Sequence, residues 1–277
     1  MTVSAAPPAA PGGGRPDWRF RLTSPDLLPA VIVFVAITVL WEAALTVLNV
    51  RQFLLPKPSV ILGALVEQWP ILQRGVVYTG FEALAGLGVG VAAGVAAAFA
   101  TARWATAREA LMPVAVGASS IPIVAFAPIT NAWFSAESPA ARIAIVTLMV
   151  FFPVMLNTVR GLTNVDPAAL ELFQSYAAGE FTILRKLRIP NALPYFFTAL
   201  RIAATLAVIG AVIGEYFGGP RYSLGIFITS EAYVFRYPNA WAAIVLACVL
   251  GIVFYLAALG LERLAMPWHG SKRTADA

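Results

Sequence analysis

Residues able to carry out chemistry are scarce in this sequence. It holds one histidine and one cysteine in 277 residues, too few for an ordinary zinc or haem site. His269 lies in the polar C-terminal tail, and Cys248 lies inside an apolar run. Neither Gly-Lys-Ser nor Gly-Lys-Thr occurs, so the chain cannot build a phosphate-binding P-loop. We therefore expect neither a metal centre nor an enzyme.

Three acidic residues, Glu42, Glu82 and Glu215, stand in or beside long apolar segments. A charge inside a membrane is costly and marks a functional site by default. Glu215 is the strongest candidate for lining a solute pathway; the alternatives are that it pairs with Arg221 or faces the membrane interface. Aromatic side chains in spans more often pack helices, and an asparagine can bond across helices. The other candidates for the pathway are Phe126, Phe152 and Asn157.

The composition is that of a protein embedded in a membrane. Apolar residues make up 60% of the chain, charged residues make up 12%, and the mean hydropathy is +0.79. A soluble domain needs more polar surface than this to cover its core. At about 20 apolar residues per crossing, the chain is expected to be an all-α membrane protein with about six transmembrane helices. The expected spans are residues 28–50, 77–101, 111–134, 142–159, 195–217 and 240–261.

Two of these spans have unusual residues. The second has glycines at four-residue spacing from Gly86 to Gly94, and small residues in this pattern let helices pack closely inside a membrane bundle. The third has three prolines between Pro113 and Pro128, and each interior proline bends a helix and frees a carbonyl. We therefore expect the second span inside the bundle and the third beside the pathway.

Two apolar intervals are too short to cross the membrane. After the first span, the run L-L-P-K-P-S-V predicts an extended turn and then a surface helix that Ser59 caps and that runs toward Trp69. The second interval, residues 224–237, predicts a surface or re-entrant helix between the fifth and sixth spans.

The distribution of Lys and Arg predicts the orientation, because these residues accumulate on the cytoplasmic side. Six spans place both termini on one side. Twelve cations fall on that side, namely Arg15, Arg19, Arg21, Arg103, Arg108, Arg160, Arg185, Lys186, Arg188, Arg263, Lys272 and Arg273; six fall on the other, namely Arg51, Lys57, Arg74, Arg142, Arg221 and Arg236. The formal net charge of +5 thus reflects topology rather than nucleic-acid binding. We expect cytoplasmic tails, disordered over residues 1–27 and ending the chain at 266–277, around a transmembrane domain of residues 28–265.

The long polar interval at residues 160–194 predicts a compact cytoplasmic knob. Asp166 is a helix N-cap followed by Pro167 at the first helical position. Small residues from Ala177 to Gly179 permit a sharp turn, and a second short helix is expected to end at Pro190 and Pro194. On these residues alone, a basic loop that only fixes topology is an equally good interpretation. The apolar side chains that would suit a partner's groove are Phe173, Tyr176 and Phe181, with Arg185, Lys186 and Arg188 toward the membrane surface.

This loop resembles that of the inner-membrane permeases of bacterial ABC importers, whose pattern is E-A-A, three residues, G, nine residues, I, one residue, L-P. Aligned on Pro190, Glu171 takes the Glu position, Leu187 the Ile position and Ile189 the Leu position. Ala177 stands where the family has Gly, so the elbow is expected one or two residues later, at Ala178 or Gly179. The runs F-F-P-V-M-L-N-T-V-R-G-L before the loop and A-L-R-I-A-A-T-L-A-V-I-G-A-V-I-G-E-Y-F-G after it extend the resemblance over residues 28–265.

The resemblance implies a type I ABC importer permease fold in the bacterial inner membrane. Its partners would be a cytoplasmic ABC ATPase dimer, an extracytoplasmic substrate-binding protein and a second permease copy in the lipid bilayer. ATP and Mg²⁺ would be bound by the ATPase, and this chain would bind no cofactor. The residues that would couple to the ATPase are Glu171, Phe173, Ser175, Tyr176, Ala177, Ala178, Gly179, Glu180, Phe181, Arg185, Lys186 and Pro190.

Within that family the sequence is similar to the nitrate, sulfonate, taurine and pyrimidine-precursor branch. The runs S-Y-A-A, R-K-L-R-I-P and V-I-G-A-V-I-G-E look closest to permeases for hydroxymethylpyrimidine, a thiamine precursor, or for riboflavin. A sulfonate, taurine or nitrate permease is the alternative within the family. From another class, a secondary transporter would need no ATP; it is expected to show an internal repeat with paired broken helices, which the sequence does not display. A membrane enzyme would need a cluster of Asp, His or Cys, which is also lacking.

Overall fold

The computed structural model describes residues 27–52 and 54–267, so the predicted tails lie almost entirely outside the described residues. The described residues are mainly helical and include no strand, as predicted. A 3₁₀ turn (Ile123–Phe126) precedes α5, and a π-helical turn (Leu184–Arg188) precedes α9. The α-helices in chain order are α1 (Leu27–Val47), α2 (Pro58–Glu67), α3 (Trp69–Arg103), α4 (Ala105–Ser119), α5 (Ala127–Phe134), α6 (Pro139–Thr163), α7 (Pro167–Ser175), α8 (Glu180–Ile183), α9 (Ile189–Glu215), α10 (Leu224–Tyr233) and α11 (Tyr237–Ala265).

Five of the six predicted spans are continuous apolar helices, and the third is not. The prediction of one helix over residues 111–134 is wrong, because α4 ends at Ser119 and α5 begins only at Ala127. Pro122 between them has an extended backbone, with φ −64° and ψ 105°, and a proline there cannot donate the N–H that would continue the helix. The long helices are Leu28–Val47, Trp69–Arg103, Pro139–Thr163, Glu180–Glu215 and Tyr237–Ala265.

Helices α3 and α6 run in the same direction. The contacts between them pair Gly86 with Val146, Gly90 with Val150 and Gly94 with Val154, so the partner's number rises with each step along α3. Parallel helices joined in sequence require a return between them. The broken segment α4–α5 therefore travels back along the bundle, and the described part of the chain traverses the bundle six times although five of its helices are long enough to span a membrane.

The remaining helices alternate in direction. Gly214 of α9 approaches Arg142 near the start of α6, whereas Gly161 near the end of α6 approaches Ala192, so α9 is antiparallel to α6. The start of α11 lies beside α1, where Trp41 packs edge-to-face on Trp241 at 5.6 Å. Both ends of the described chain thus lie at the end of the bundle that holds α7 and α8, as the charge distribution predicts. We call that the knob end and the opposite one the outer end.

The two short apolar helices, α2 and α10, lie at the outer end, and the start of α2 is held differently from the predicted cap. The prediction that Ser59 caps α2 is wrong, because Lys57 occupies the N-cap position. Instead Glu42 of α1 accepts hydrogen bonds from the Ser59 N–H (3.0 Å) and hydroxyl (2.8 Å), so a carboxylate from another helix satisfies the free N-terminal donors of α2. Helix α10 is buried against its neighbours along one side, at Leu224, Phe227 and Ile228.

The predicted interior position of the second span is confirmed by close packing between α3 and α6. Gly86, Gly90 and Gly94 are all buried, and a Cβ on Gly90 would lie 2.8 Å from the Val150 Cβ and 2.9 Å from the Thr147 carbonyl oxygen. Lipid offers no hydrophobic drive for helix association, so close van der Waals packing between small residues holds such helices together.

We expect Gly90→Ala to lower the thermal unfolding midpoint of the protein in detergent. The added methyl group overpacks the α3–α6 contact, at a cost of about 1–3 kcal/mol. Gly88→Ala is the matched control, since nothing lies within 4 Å of a Cβ on Gly88 and alanine favours the helix by roughly 0.5–1 kcal/mol. Equal midpoints for the two variants would contradict this packing.

Candidate functional site

The knob, residues Pro167–Arg188, begins as the sequence predicts. Asp166 is the N-cap of α7, and its Oδ1 accepts a hydrogen bond from the Ala168 N–H at 3.0 Å, with Pro167 at the first helical position. A further anchor was missed by sequence reasoning. The Asn191 side chain donates to the carbonyl oxygens of Gly161 (2.8 Å) and Asn164 (2.9 Å), so the start of α9 is tied to the end of α6 at the base of the knob.

The elbow lies at Ala177, not at Ala178 or Gly179 as predicted. Ala177 has a left-handed backbone with φ +51°, whereas Gly179 has an ordinary extended one with φ −64°. The Ala177 N–H donates to Gln174 (2.9 Å) and the Ala178 N–H donates to Phe173 (3.0 Å). These two bonds form a Schellman motif, which normally has glycine at the left-handed position. The fold therefore imposes the turn on an alanine.

The second helix of the knob does not end at Pro190 and Pro194 as predicted. It continues from Glu180 into the membrane as one run to Glu215. The five residues before α9 widen into a π-helical turn, Leu184–Arg188. Pro190 has no N–H for a normal helical bond and its ring crowds the preceding turn, and a π turn inserts one residue where the regular ladder is interrupted. The knob is thus rigidly continuous with α9.

The tip of the knob presents apolar side chains to solvent. Tyr176 is 79% exposed, Phe181 is 74% exposed and Leu172 is 54% exposed. A depression of about 310 Å³ between α7 and the second helix is lined by Leu172, Phe173, Tyr176, Ala178, Thr182 and Lys186. Large apolar side chains exposed together on a soluble surface mark a site for a protein partner.

The predicted coupling residues differ in burial and in their contacts. Phe173 and Ala178 are half-buried, and Glu180 forms an exposed ion pair with Arg103 at the end of α3, at 3.4 Å. The Ser175 hydroxyl donates to the Leu172 carbonyl at 2.8 Å. The exposed residues are Glu171, Ser175, Ala177, Gly179, Arg185, Lys186 and Pro190.

Of the four predicted pathway residues, three are half-buried and Glu215 is fully buried. Phe126 ends the 3₁₀ turn and is half-buried, and Phe152 packs edge-to-face on Phe151 at 5.0 Å. Asn157 does not bond across helices as predicted; its side chain donates to the Pro153 carbonyl of its own helix at 2.8 Å. Glu215 is fully buried, so its side chain has no face open to a pathway in this structure.

Glu215 belongs to a buried polar cluster instead. It neither pairs with Arg221 nor faces the membrane interface. Its Oε1 accepts from the Thr79 hydroxyl and its Oε2 from the Gly225 N–H, both at 2.7 Å. Beside it, Arg142 Nε donates to Glu82 Oε1 at 2.6 Å, and both of these side chains are fully buried. These bonds join α3, α6, α9 and α10 at the outer end.

Arg142 was expected on the outer surface and is instead at the centre of this cluster. Its terminal nitrogens donate to the carbonyl oxygens of Ala136 (2.8 Å), Glu137 (3.4 Å) and Gly218 (3.0 Å) and to the Tyr78 hydroxyl (3.1 Å). The sequence does indicate a buried polar cluster, because it places two opposite charges, Glu82 and Arg142, inside apolar spans. It does not show that they face each other.

Residues 90–266 match the family described as the binding-protein-dependent transport system inner membrane component. The chain belongs to this family. Formylaminopyrimidine transport permease ThiX of Halalkalibacterium halodurans is 30% identical over 87% of this chain and 96% of its own length. Riboflavin transport permease RibX of Chloroflexus aurantiacus is 28% identical over 87% and 90%, and taurine transport permease TauC of Escherichia coli is 24% identical over 92% and 94%.

The fold of this permease is also that of solved importer subunits. A chain of the inward-facing MetNI methionine ABC transporter superposes with a TM-score of 0.61 at 19% identity, covering 72% of this chain and 97% of that one. The predicted type I ABC importer permease fold and multi-pass inner-membrane location are thus confirmed. The chain is the permease subunit of an ABC importer.

We expect Ala177→Gly to make the permease's knob more resistant to local opening. A non-glycine residue in the left-handed region carries a steric cost of roughly 1–2 kcal/mol, which glycine avoids; the gain is partly offset by the greater entropy of glycine in the unfolded chain. The rate of tryptic cleavage at Arg185 and Lys186 in the native protein is expected to fall about twofold or more.

Ala178→Gly provides the matched control, because Ala178 is not among the residues with positive φ. Its cleavage is expected to be unchanged or faster. Faster cleavage of Ala177→Gly than of the parent would show that the elbow does not lie at residue 177.

Proposed function

We propose that this permease imports a small nitrogen heterocycle, of the thiamine-precursor pyrimidine or riboflavin kind, which an external binding protein delivers. We further propose that a separate cytoplasmic ATPase drives it through the knob and that two copies of the chain form the pathway. The observation that carries the substrate proposal is the 30% identity to the formylaminopyrimidine permease along nearly its whole length.

A sulfonate or taurine permease is the alternative within the family. The taurine permease covers as much of this chain but is 24% identical, against 30% and 28% for the pyrimidine and riboflavin permeases. These differences in sequence identity are modest. In an importer that receives its substrate from a binding protein, the specificity resides largely in that binding protein. The ligand of the binding protein is therefore the property to measure.

The shape of the knob supports the ATPase as its partner. The chain has no P-loop, so the energy of ATP must enter from another subunit. The knob offers exposed Tyr176 and Phe181 around an apolar depression, and its second helix continues without a break into α9. A partner that holds this tip can move α9 as a lever, which is the kind of rigid-body displacement that switches transporters between two packings.

The position of α4–α5 supports a pathway shared between two copies. Trp133 is 72% exposed and Phe126 is half-buried on the outside of the bundle. Because this segment lies at the edge of the single chain rather than inside it, a second copy placed against it would enclose these aromatic side chains.

We expect Tyr176→Ala to weaken capture of the co-expressed ATPase by roughly 30-fold or more, the loss of about 2 kcal/mol that truncation of a central aromatic anchor causes. Tyr233→Ala is the matched control, since Tyr233 is 83% exposed but lies at the outer end; its capture of the ATPase is expected to be unchanged. Capture is measured by pull-down of the tagged permease from detergent extracts at varied ATPase concentration.

Deletion of the knob, residues 167–188, is expected to abolish this capture altogether. A truncated permease that still retained its ATPase would disprove coupling through the knob. Transport into vesicles that persists without ATP would favour the secondary-transporter alternative.

We expect the binding protein encoded with this permease to bind formylaminopyrimidine or riboflavin at least about tenfold more tightly than taurine, which calorimetric titration of the purified binding protein measures. Tightest binding of taurine would overturn the substrate proposal alone, because coupling to the ATPase is tested separately by the knob variants.

A further inference from the structure

The buried cluster at the outer end has more acidic than basic side chains. Glu82, Arg142 and Glu215 are each fully buried. If all three were ionised, the cluster would hold two negative charges against one positive charge. Removing an ion from water is costly unless the ion is paired and hydrogen-bonded, so an uncompensated negative charge is unfavourable here.

Arg142 cannot neutralise both carboxylates by hydrogen bonding. Its guanidinium has five N–H groups, and five acceptors take them: Glu82 Oε1, the Tyr78 hydroxyl and the carbonyl oxygens of Ala136, Glu137 and Gly218. None is left for Glu215. The Glu215 carboxyl receives only the neutral donors Thr79 and Gly225.

One carboxyl oxygen in the cluster lacks a donor. Glu82 Oε2 is buried and has no hydrogen-bond partner among the described residues, although buried polar atoms are almost always paired. Glu215 is bonded to Thr79, which lies three residues before Glu82 on the same face of α3, and its neighbour Gly214 packs against the Arg142 side chain that holds Glu82, so the two carboxyl groups are neighbours. Two carboxyl groups this close cannot both ionise without strong repulsion, and a proton held between them removes that repulsion.

We propose that Glu82 and Glu215 share a single proton and thereby form, with Arg142, an electrically neutral proton-binding site buried between α3, α6 and α9. The proton gives Glu82 Oε2 its missing partner. It also changes the total charge of the two carboxyl groups from −2 to −1, and the positive charge of Arg142 balances that remaining negative charge. The proton comes from water as the chain folds and is returned to water when the pair ionises.

The other titratable groups that face the pair do not change this balance. Tyr78 of α3 accepts an N–H from Arg142, and Tyr216 follows Glu215 at the end of α9. Both are phenols and are neutral near pH 7. Helix α10 contributes only the backbone N–H groups of Leu224 and Gly225. These neighbouring groups thus add no charge to the pair.

The first test is the pH dependence of thermal unfolding of the full chain in detergent. The folded state holds a proton that an ordinary glutamate of the unfolded chain has lost at neutral pH, so folding takes up a proton and stability falls as pH rises. The midpoint of the parent protein is expected to fall between about pH 5.5 and pH 8.5. Glu82→Gln, whose amide nitrogen replaces the protonated oxygen, is expected to lose most of this slope.

Charge balance separates the single from the double variant. In Glu82→Gln the ionised Glu215 balances Arg142, so its midpoint at pH 7 is expected to stay within a few degrees of the parent. The variant Glu82→Gln/Glu215→Gln leaves Arg142 uncompensated, and its midpoint is expected to fall by about 6 °C or more. Glu67→Gln is the matched control, since Glu67 is exposed at the end of α2, and it is expected to keep the parent's slope.

The second test detects the shared proton in the parent protein itself. The infrared spectrum of the parent at pH 7 is expected to show the carbonyl stretch of a protonated carboxylic acid, which disappears on raising the pH. Tyr78→Phe is expected to keep this band and Glu82→Gln to lose it. Absence of the band in the parent, or a midpoint of Glu82→Gln as low as that of the double variant, would overturn the proposal.

Discussion

Burial of Arg142 is the constraint on which the outer half of this permease depends. Its guanidinium is fully buried, and in a membrane bundle each N–H must find its acceptor within the protein. The acceptors come from α3 and from the two turns that follow α5 and α9. One side chain on α6 therefore fixes three segments that are distant in sequence, and Gly218 packs directly on Ala136 where the two turns meet.

Close packing against α6 holds α3 and α9 in place along the bundle, beyond the polar cluster at its outer end. Along α3 the glycines face valines of α6, and on the other side of α6 Gly210 and Gly214 of α9 approach Met149 and Arg142. Three helices thus share one contact region with α6 at its centre. Because α3 and α6 are parallel, the connecting segment must cross the bundle. The break at Pro122 lies in that segment, at the exposed edge that a second copy is proposed to cover, and a helix interruption at membrane depth needs such a cover.

The sequence predicts local features well where one residue decides them. Asp166 and Pro167 start α7 as expected, and the glycine spacing on α3 identifies an interior helix. It predicts less well where tertiary structure overrides local preference. Ala177 adopts the left-handed conformation that alanine disfavours, and the helix passes through Pro190 by widening into a π turn. Neither outcome follows from propensity, since the packing of α6 against α9 determines where the chain must re-enter the membrane.

The position of Glu215 shows a second limit of sequence reasoning. A single acidic residue in an apolar span indicates a buried polar site, but its partners lie far away in the chain, at Thr79 and near Arg142. The pathway interpretation followed from treating each charge alone. Considered together, Glu82, Arg142 and Glu215 indicate a cluster, although only the fold shows that α3, α6 and α9 bring them to the same level.

The same two helices connect this cluster to the knob. Helix α6 carries Arg142 near its start at the outer end and ends at Thr163 beside the base of the knob, and α9 carries Asn191 at that base and ends at Glu215. Asn191 joins them at one end, and the polar cluster bridges them through α3 and the α9–α10 turn at the other. The two helices that carry the knob are thus tied to each other at both ends. Rigid coupling of this kind transmits a displacement across the bundle without requiring a chain of small side-chain shifts.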